Sequence, residues 1–404
     1  MSEGRHASST WVVGPTISFG FNLAKIKDQG EDSDPILRDG PDLGLIAVFD
    51  GMGGAGGTVY ETPQGPRTGA YLASRVARDV VERRMLDLLE PDWNLNGQAA
   101  AQDLQRAVRQ ALIECLAELN APASSLRSRL LRALPTTMAL VALQRIQPGG
   151  PTWACHVLWA GDSRAYLFEP KGARQLTTDD IRDAGDAMVN LRQDSVVSNA
   201  MSADTDFHVN YRKVTLRAPF LVAAATDGCF GYVRSPMHFE RMMLTTMEEA
   251  KSTEAWSSAL QSHISLVTGD DAAMSLLGIG ASFEELQELF AGRADEVERR
   301  FTGPLDELRL AVDRVEHELE AARRRHVEGT AELWSAYKPD YERYVTPQPA
   351  DDYSQVGESG SEDTESDAAQ ADAAQADDEF PPEDAIAVEA AVDEGLPSDG
   401  KGPS

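Results

Sequence analysis

Three aspartates stand where an apolar run meets a turn: Val48-Phe49-Asp50-Gly51, Ala225-Thr226-Asp227-Gly228, and Gly269-Asp270-Asp271-Ala272 ahead of the apolar run 274–279. A strand end aims its side chain from a rigid sheet, and a glycine beside it lets a backbone carbonyl approach an ion. Hard divalent cations take oxygen ligands, and magnesium or manganese prefers a few carboxylates with several waters. Three such aspartates would bridge two ions about 4 Å apart, a spacing suited to clamping a phosphoryl group. Asp-Gly is also among the commonest turn dipeptides, so each one alone reads as readily as a turn.

The elements that must carry these side chains are legible in outline. Apolar residues at three- and four-residue steps predict helices over 67–89 and about 99–119, the second through Leu104, Val108, Leu112 and Cys115. Strand-like runs follow at 136–143, 153–160, 164–168, 207–216, 220–225 and 273–279, with a polar, weakly periodic excursion at 170–206. Strands interrupted by a helix pair predict a mixed sheet with helices outside, not a parallel βαβ fold. Residues 282–342 read as helix only. Ser282-x-x-Glu285 is a capping box, Pro304 suits a first turn, and Leu305, Leu308, Val312, Val315, Leu319 and Ala322 form a short heptad run. Fewer than about three heptads do not specify a coiled coil, so this zone is either a hairpin packed on the main domain or a partner-binding helix.

The net charge of −29 argues against general binding to nucleic acid or anionic membrane. From Thr346 onward there are 17 acidic residues and one basic residue, Lys401, in an Ala/Asp/Glu/Ser/Gln-rich stretch. Such a composition cannot bury enough apolar surface to offset chain entropy, so 346–404 is expected to be a disordered acidic tail. Cys115, Cys155 and Cys229 are far apart with no metal or disulfide spacing, no apolar run approaches the roughly 18 residues of a membrane span, and the chain reads as cytoplasmic.

Taken in order, Val48-Phe49-Asp50-Gly51-Met52-Gly53-Gly54, Gly161-Asp162-Ser163-Arg164, Ala225-Thr226-Asp227-Gly228 and Gly269-Asp270-Asp271 resemble the motifs of the PPM family, the type 2C metal-dependent serine/threonine protein phosphatases. Glu31-Asp32-Ser33 resembles the acidic pair before the first motif, and Gln175-Leu176-Thr177-Thr178-Asp179 the segment after the Gly-Asp-Ser-Arg hairpin. The resemblance covers about 15–280. It implies an α+β fold, an αββα sandwich of two antiparallel sheets flanked by helix pairs. It also implies two manganese or magnesium ions held by Asp50, the Gly51 carbonyl, Asp227 and Asp270, with Glu31 and Asp32 acting through metal-bound water. A water bridging the ions would attack phosphoserine or phosphothreonine on protein substrates, countering a kinase.

The chain departs from the pattern in places. Lys27 stands where relatives often have a phosphate-binding arginine, and a lysine offers a point charge without the bidentate fork. Met52 replaces a histidine acid found in some relatives. A third ion would use Asp162 and a second carboxylate at a position where this chain has Gly231, so that ion is expected to be weak or absent. Pro135 replaces a usual glycine. These departures keep open an alternative, a catalytically weak or inactive phosphatase fold serving as a binding module.

Overall fold

The structure, a computed structural model, describes residues 15–89, 95–119, 132–192 and 196–344. The elements run β1 (Pro15–Leu23), β2 (Ile36–Gly40), β3 (Leu43–Val48), α1 (Gly53–Gly56), β4 (Val59–Thr62), β5 (Gly65–Thr68), α2 (Gly69–Leu89), α3 (Gly97–Glu118), β6 (Met138–Arg145) and β7 (Thr152–Ala160). After them come β8 (Arg164–Glu169), β9 (Gly172–Gln175), α4 (Ala187–Arg192), β10 (Asn210–Arg217), β11 (Phe220–Ala225), α5 (Asp227–Phe230), α6 (Pro236–Glu249), α7 (Thr253–Val267), β12 (Ala272–Ile279), α8 (Phe283–Phe290), α9 (Arg293–Val297) and α10 (Gly303–Tyr341).

Two five-stranded antiparallel sheets result, ordered β1-β12-β11-β8-β9 and β10-β7-β6-β3-β2. Strand alternation sorts their side chains into three cores. On β3, Leu45 and Ala47 pack with α2 and α3, while Ile46 and Val48 join the layer between the sheets. On β11, Leu221, Ala223 and Ala225 pack with α6, α7 and α8, while Val222 and Ala224 enter the central layer. Each fully buried Val, Ile or Leu contributes roughly 1.5–3 kcal/mol. The fold is the αββα sandwich of two antiparallel sheets with helices on both outer faces.

Some elements differ from the expectation. Residues 65–68 form β5, paired with β4 in a small hairpin, so α2 starts at Gly69 and not at 67. Helices α6 and α7 lie in a stretch where only strands were expected. Their apolar faces are built from methionines and well-spaced residues such as Phe239, Met243, Trp256 and Leu260, a diffuse pattern. Local signals were present: Ser235 and Ser252 cap the two N-termini, and Pro236 occupies the first turn of α6.

The capping box forms as expected, with the Ser282 hydroxyl accepting from Glu285 N and the Glu285 carboxylate accepting from Ser282 N. Helices α8 and α9 pack against α6, with Leu286, Phe290 and Ala294 joining the outer core and Val297 buried. A single π-type turn, in which Gly303 N donates to Glu298 O, leads into α10 just before Pro304, which has no N–H for the α-helical ladder. The described residues divide into two compact units, with the boundary between His326 and Val327. In the second, Trp334 contacts Tyr337 and Tyr341, at centroid distances of 6.4 and 5.6 Å. The expected acidic tail, 346–404, lies outside the described residues. All three cysteines are free, and among the described residues no helix is long and apolar enough to cross a membrane.

Candidate functional site

Asp50 follows β3 at the end of the buried run Ala47-Val48-Phe49. Its carbonyl accepts from Thr137 N at 2.9 Å and from the Thr136 hydroxyl at 2.6 Å, which locks the turn onto β6. Gly51 is required here by close approach, because a Cβ would sit 2.5 Å from the Glu31 carbonyl and 2.7 Å from that of Ala70. Gly228 is required for the same reason, since a Cβ would overlap the Asp271 carbonyl. The glycine after each aspartate thus lets one motif pack against the backbone of another.

The loop carrying Glu31 and Asp32, between β1 and β2, is held from several sides. Arg75 on α2 donates to the carbonyls of Gly30, Glu31 and Asp32, at 3.1, 3.1 and 3.0 Å. The Asp271 carboxylate accepts from Lys25 N at 2.7 Å and Glu31 N at 2.5 Å. Thr68 donates to the Glu31 carboxylate at 2.5 Å, and Thr226 donates to that of Asp32 at 2.8 Å. Asp227 opens the short α5 directly after β11, and Asp162 sits in the β7–β8 turn.

Electrostatics ties these carboxyls together. Burial, then the charges of Asp227, Asp32, Asp162 and Asp270, hold the Asp50 carboxyl well above the usual range. Burial, then Asp162, Asp270 and Asp32, do the same at Asp227. Asp32 is pushed up to about 7 by burial first and then by the charges of Asp271 and Asp270, despite the Thr226 hydrogen bond. Asp162 is pushed up to about 6 by burial and then by Asp179, and its Oδ1 is buried with no hydrogen-bond partner. Glu31 is raised by burial and by Asp271 and Asp270.

The arrangement is a set of oxygen donors in want of positive charge, which suits a hard divalent cation. It is not a closed shell: among the described residues, no three Asp, Glu, His or Cys side chains meet as a ready metal-binding group. Asp270 is the most open of the set, with an exposed side chain that accepts from Asp271 N at 2.8 Å. Gly231 caps α5 and adds no carboxylate to Asp162.

Beside the acidic cluster lies a cavity of about 690 Å³, lined by Lys25, Glu31, Arg67, Tyr71, Asp270 and Asp271 among others. Lys27 is exposed and does not line it. Asp28, at φ 65°, turns the loop there, and its carbonyl accepts from Arg67 at 3.1 Å. The Arg67 guanidinium also lies 4.5 Å above the Tyr71 ring. Sequence reading missed Arg67 because, at the end of the β4–β5 hairpin, it stood where the helix was expected to begin. It missed Arg75 and Thr68 because neither lies in a motif.

One pair of motifs is explained by a single contact. Arg164 of Gly-Asp-Ser-Arg donates two hydrogen bonds to Asp179, at 3.0 and 2.7 Å, and both side chains are buried. Asp179 also accepts from Gln175 and Asn190. Next to it, Asp180 accepts from Gly161 N, Asn199 and Asn210, so the excursion at 170–206 is pinned to the β7–β8 turn by two adjacent aspartates.

The model of the protein phosphatase 2C family matches residues 29–264, more than half of the 404-residue chain. The chain belongs to that family. Solved structures similar to it include the serine/threonine phosphatase PstP/Ppp of Mycobacterium tuberculosis, at 17% identity over 65% of this chain and 98% of that one, with a TM-score of 0.44. Another is the serine/threonine phosphatase Stp1 of Staphylococcus aureus, at 18% identity over 69% and 100%, with a TM-score of 0.46. The catalytic domain of PstP in complex with two manganese ions is 14% identical over 65% and 98%, with a TM-score of 0.44. No curated protein matches the chain.

Proposed function

We propose that this chain hydrolyses phosphoserine and phosphothreonine on proteins, opposing a serine/threonine kinase, with two divalent ions held by Asp50, Gly51, Asp227 and Asp270. The observation that carries the proposal is the crowding around Asp50 and Asp227, carboxyls raised by burial and then by the charges of their neighbours, among them Asp32, Asp162 and Asp270, a repulsion that a pair of dications would relieve. When bound, such ions supply an activated water and neutralise charge on the phosphoryl oxygens. Glu31 and Asp32 would orient water beside that centre, held in place by Thr68, Thr226 and the Arg75 clamp. The phosphate is steered by the basic rim, with Lys27 as a point charge on the loop and Arg67 as a planar fork inside the cavity. Met52 offers no proton to the leaving group. Asp162, without a carboxylate at 231, holds no third ion.

The open placement of Asp270 and the exposure of Lys27 favour a second reading, in which the fold is retained as a weakly active binding module. Hydrolysis of para-nitrophenyl phosphate with and without manganese separates the two. Manganese-dependent turnover abolished by Asp227→Asn supports the enzyme, and no turnover at any metal concentration supports the module. Faster turnover of a phosphothreonine peptide than of nucleotide or sugar phosphates supports a protein substrate.

A further inference from the structure

Helix α10 buries none of its residues. From Leu308 onward its apolar positions recur at steps of four and three, and Leu308, Val312, Val315 and Leu319 are 65%, 47%, 64% and 49% exposed. A short heptad run does not by itself define a partner. The charges that flank it say more.

Heptad phasing places Glu316 and Arg323 along one edge of the stripe, and Glu318 and Arg325 along the other. None of the four forms an ion pair with another described residue. Charges elsewhere on the helix do pair: Arg309 with Asp313 at 2.7 Å, and Glu320 with Arg324 at 3.8 Å. Each edge therefore carries an acid and a base seven residues apart, and the order is acid first on both. An edge of that kind complements itself when reversed.

We propose that two copies of this chain pair through α10 as antiparallel helices, with a two-fold axis between Glu320 and Ala321. Antiparallel coiled coils bring like edges together. Glu316 then faces Arg323 of the second copy, Glu318 faces its Arg325, and symmetry doubles both contacts to four attractive pairs. In the same register Leu319 packs opposite Ala322, a large residue against a small one, and Val315 packs opposite His326. A parallel pairing sets one edge against the other and satisfies only Glu318 with Arg323, twice. Electrostatics favours the antiparallel arrangement by four contacts to two. This inference is independent of whether the chain is catalytically active.

Sedimentation velocity on the full chain from micromolar to hundreds of micromolar tests it. A concentration-dependent dimer is the expected result, weakened by salt because the flanking charges are exposed. Leu319→Glu should leave a monomer with an unaltered melting temperature for the sandwich domain. The double swap Glu316→Arg with Arg325→Glu conserves net charge, makes all four antiparallel contacts repulsive and spares both parallel ones. It should raise the dissociation constant about tenfold or more. A chain monomeric throughout, a dimer indifferent to Leu319→Glu, or a dimer sensitive to Leu319→Glu but indifferent to the swap each overturns the proposal.

Discussion

The Thr226 hydroxyl donates to the Asp32 carboxylate at 2.8 Å and accepts from Ala273 N at 2.8 Å. One side chain thereby joins the acidic pair after β1, the aspartate motif after β11 and the start of β12, three segments separated by up to about 240 residues of sequence. Thr226→Val keeps the shape and removes both bonds. It should cost about 1–3 kcal/mol of unfolding free energy, read by urea denaturation, because Asp32 and the Ala273 amide are buried. Thr226→Ser should recover most of that loss, and equal stability of all three proteins would show the hydroxyl to be dispensable.

The raised carboxyls predict an inverse pH dependence of the chelated protein. Asp162 and Asp32 are pushed up to about 6 and about 7, so the folded state holds protons that the unfolded chain has released. Their contribution is full below the ordinary aspartate value and is lost as pH rises through about 6 and 7. The melting temperature in EDTA should fall between about pH 5 and pH 8. Saturating manganese should flatten that slope, since a dication takes over the role of the protons. A melting temperature that rises with pH in EDTA would contradict the cluster.

Asp227→Asn separates catalysis from stability. Phosphatase activity with manganese should drop by about a hundredfold or more, on the scale of losing a principal electrostatic contact. The metal-free melting temperature should hold or rise, because a repelling buried charge is removed. A joint fall in both would mark Asp227 as structural.

Arg164 and Asp179 form the buried pair that fastens the 170–206 excursion. Removing one partner strands the other charge away from water, so Arg164→Ala should destabilise by about 3–5 kcal/mol. Proteolysis should then open first within 170–206. Wild-type stability in this variant would mean that Gln175 and Asn190 alone satisfy Asp179.

The basic rim can be apportioned by kinetics. Arg67→Ala should raise KM for a phosphothreonine peptide by about tenfold, the loss of a charge-assisted fork. Lys27→Ala should raise it by about threefold or less, as expected of an exposed point charge. The reverse order would restore the phosphate contact to the loop lysine.

How much of this was written in the chain can be judged from particular residues. Asp50, Asp227 and Asp270 each announce themselves locally, as the end of an apolar run and a turn. Their motif order marks the family and, through it, the sandwich; strand alternation with helix periodicity marks only sheets with helices outside. Local signals also sufficed for the Ser282 capping box. The tertiary structure alone decided the rest, because it depends on contacts between distant segments. It presents Arg67 on a hairpin, spends Asp271 on the Lys25 and Glu31 amides, buries Arg164 against Asp179, and leaves the α10 stripe bare. Periodicity reports which face of an element is apolar. Only packing reports what that face meets.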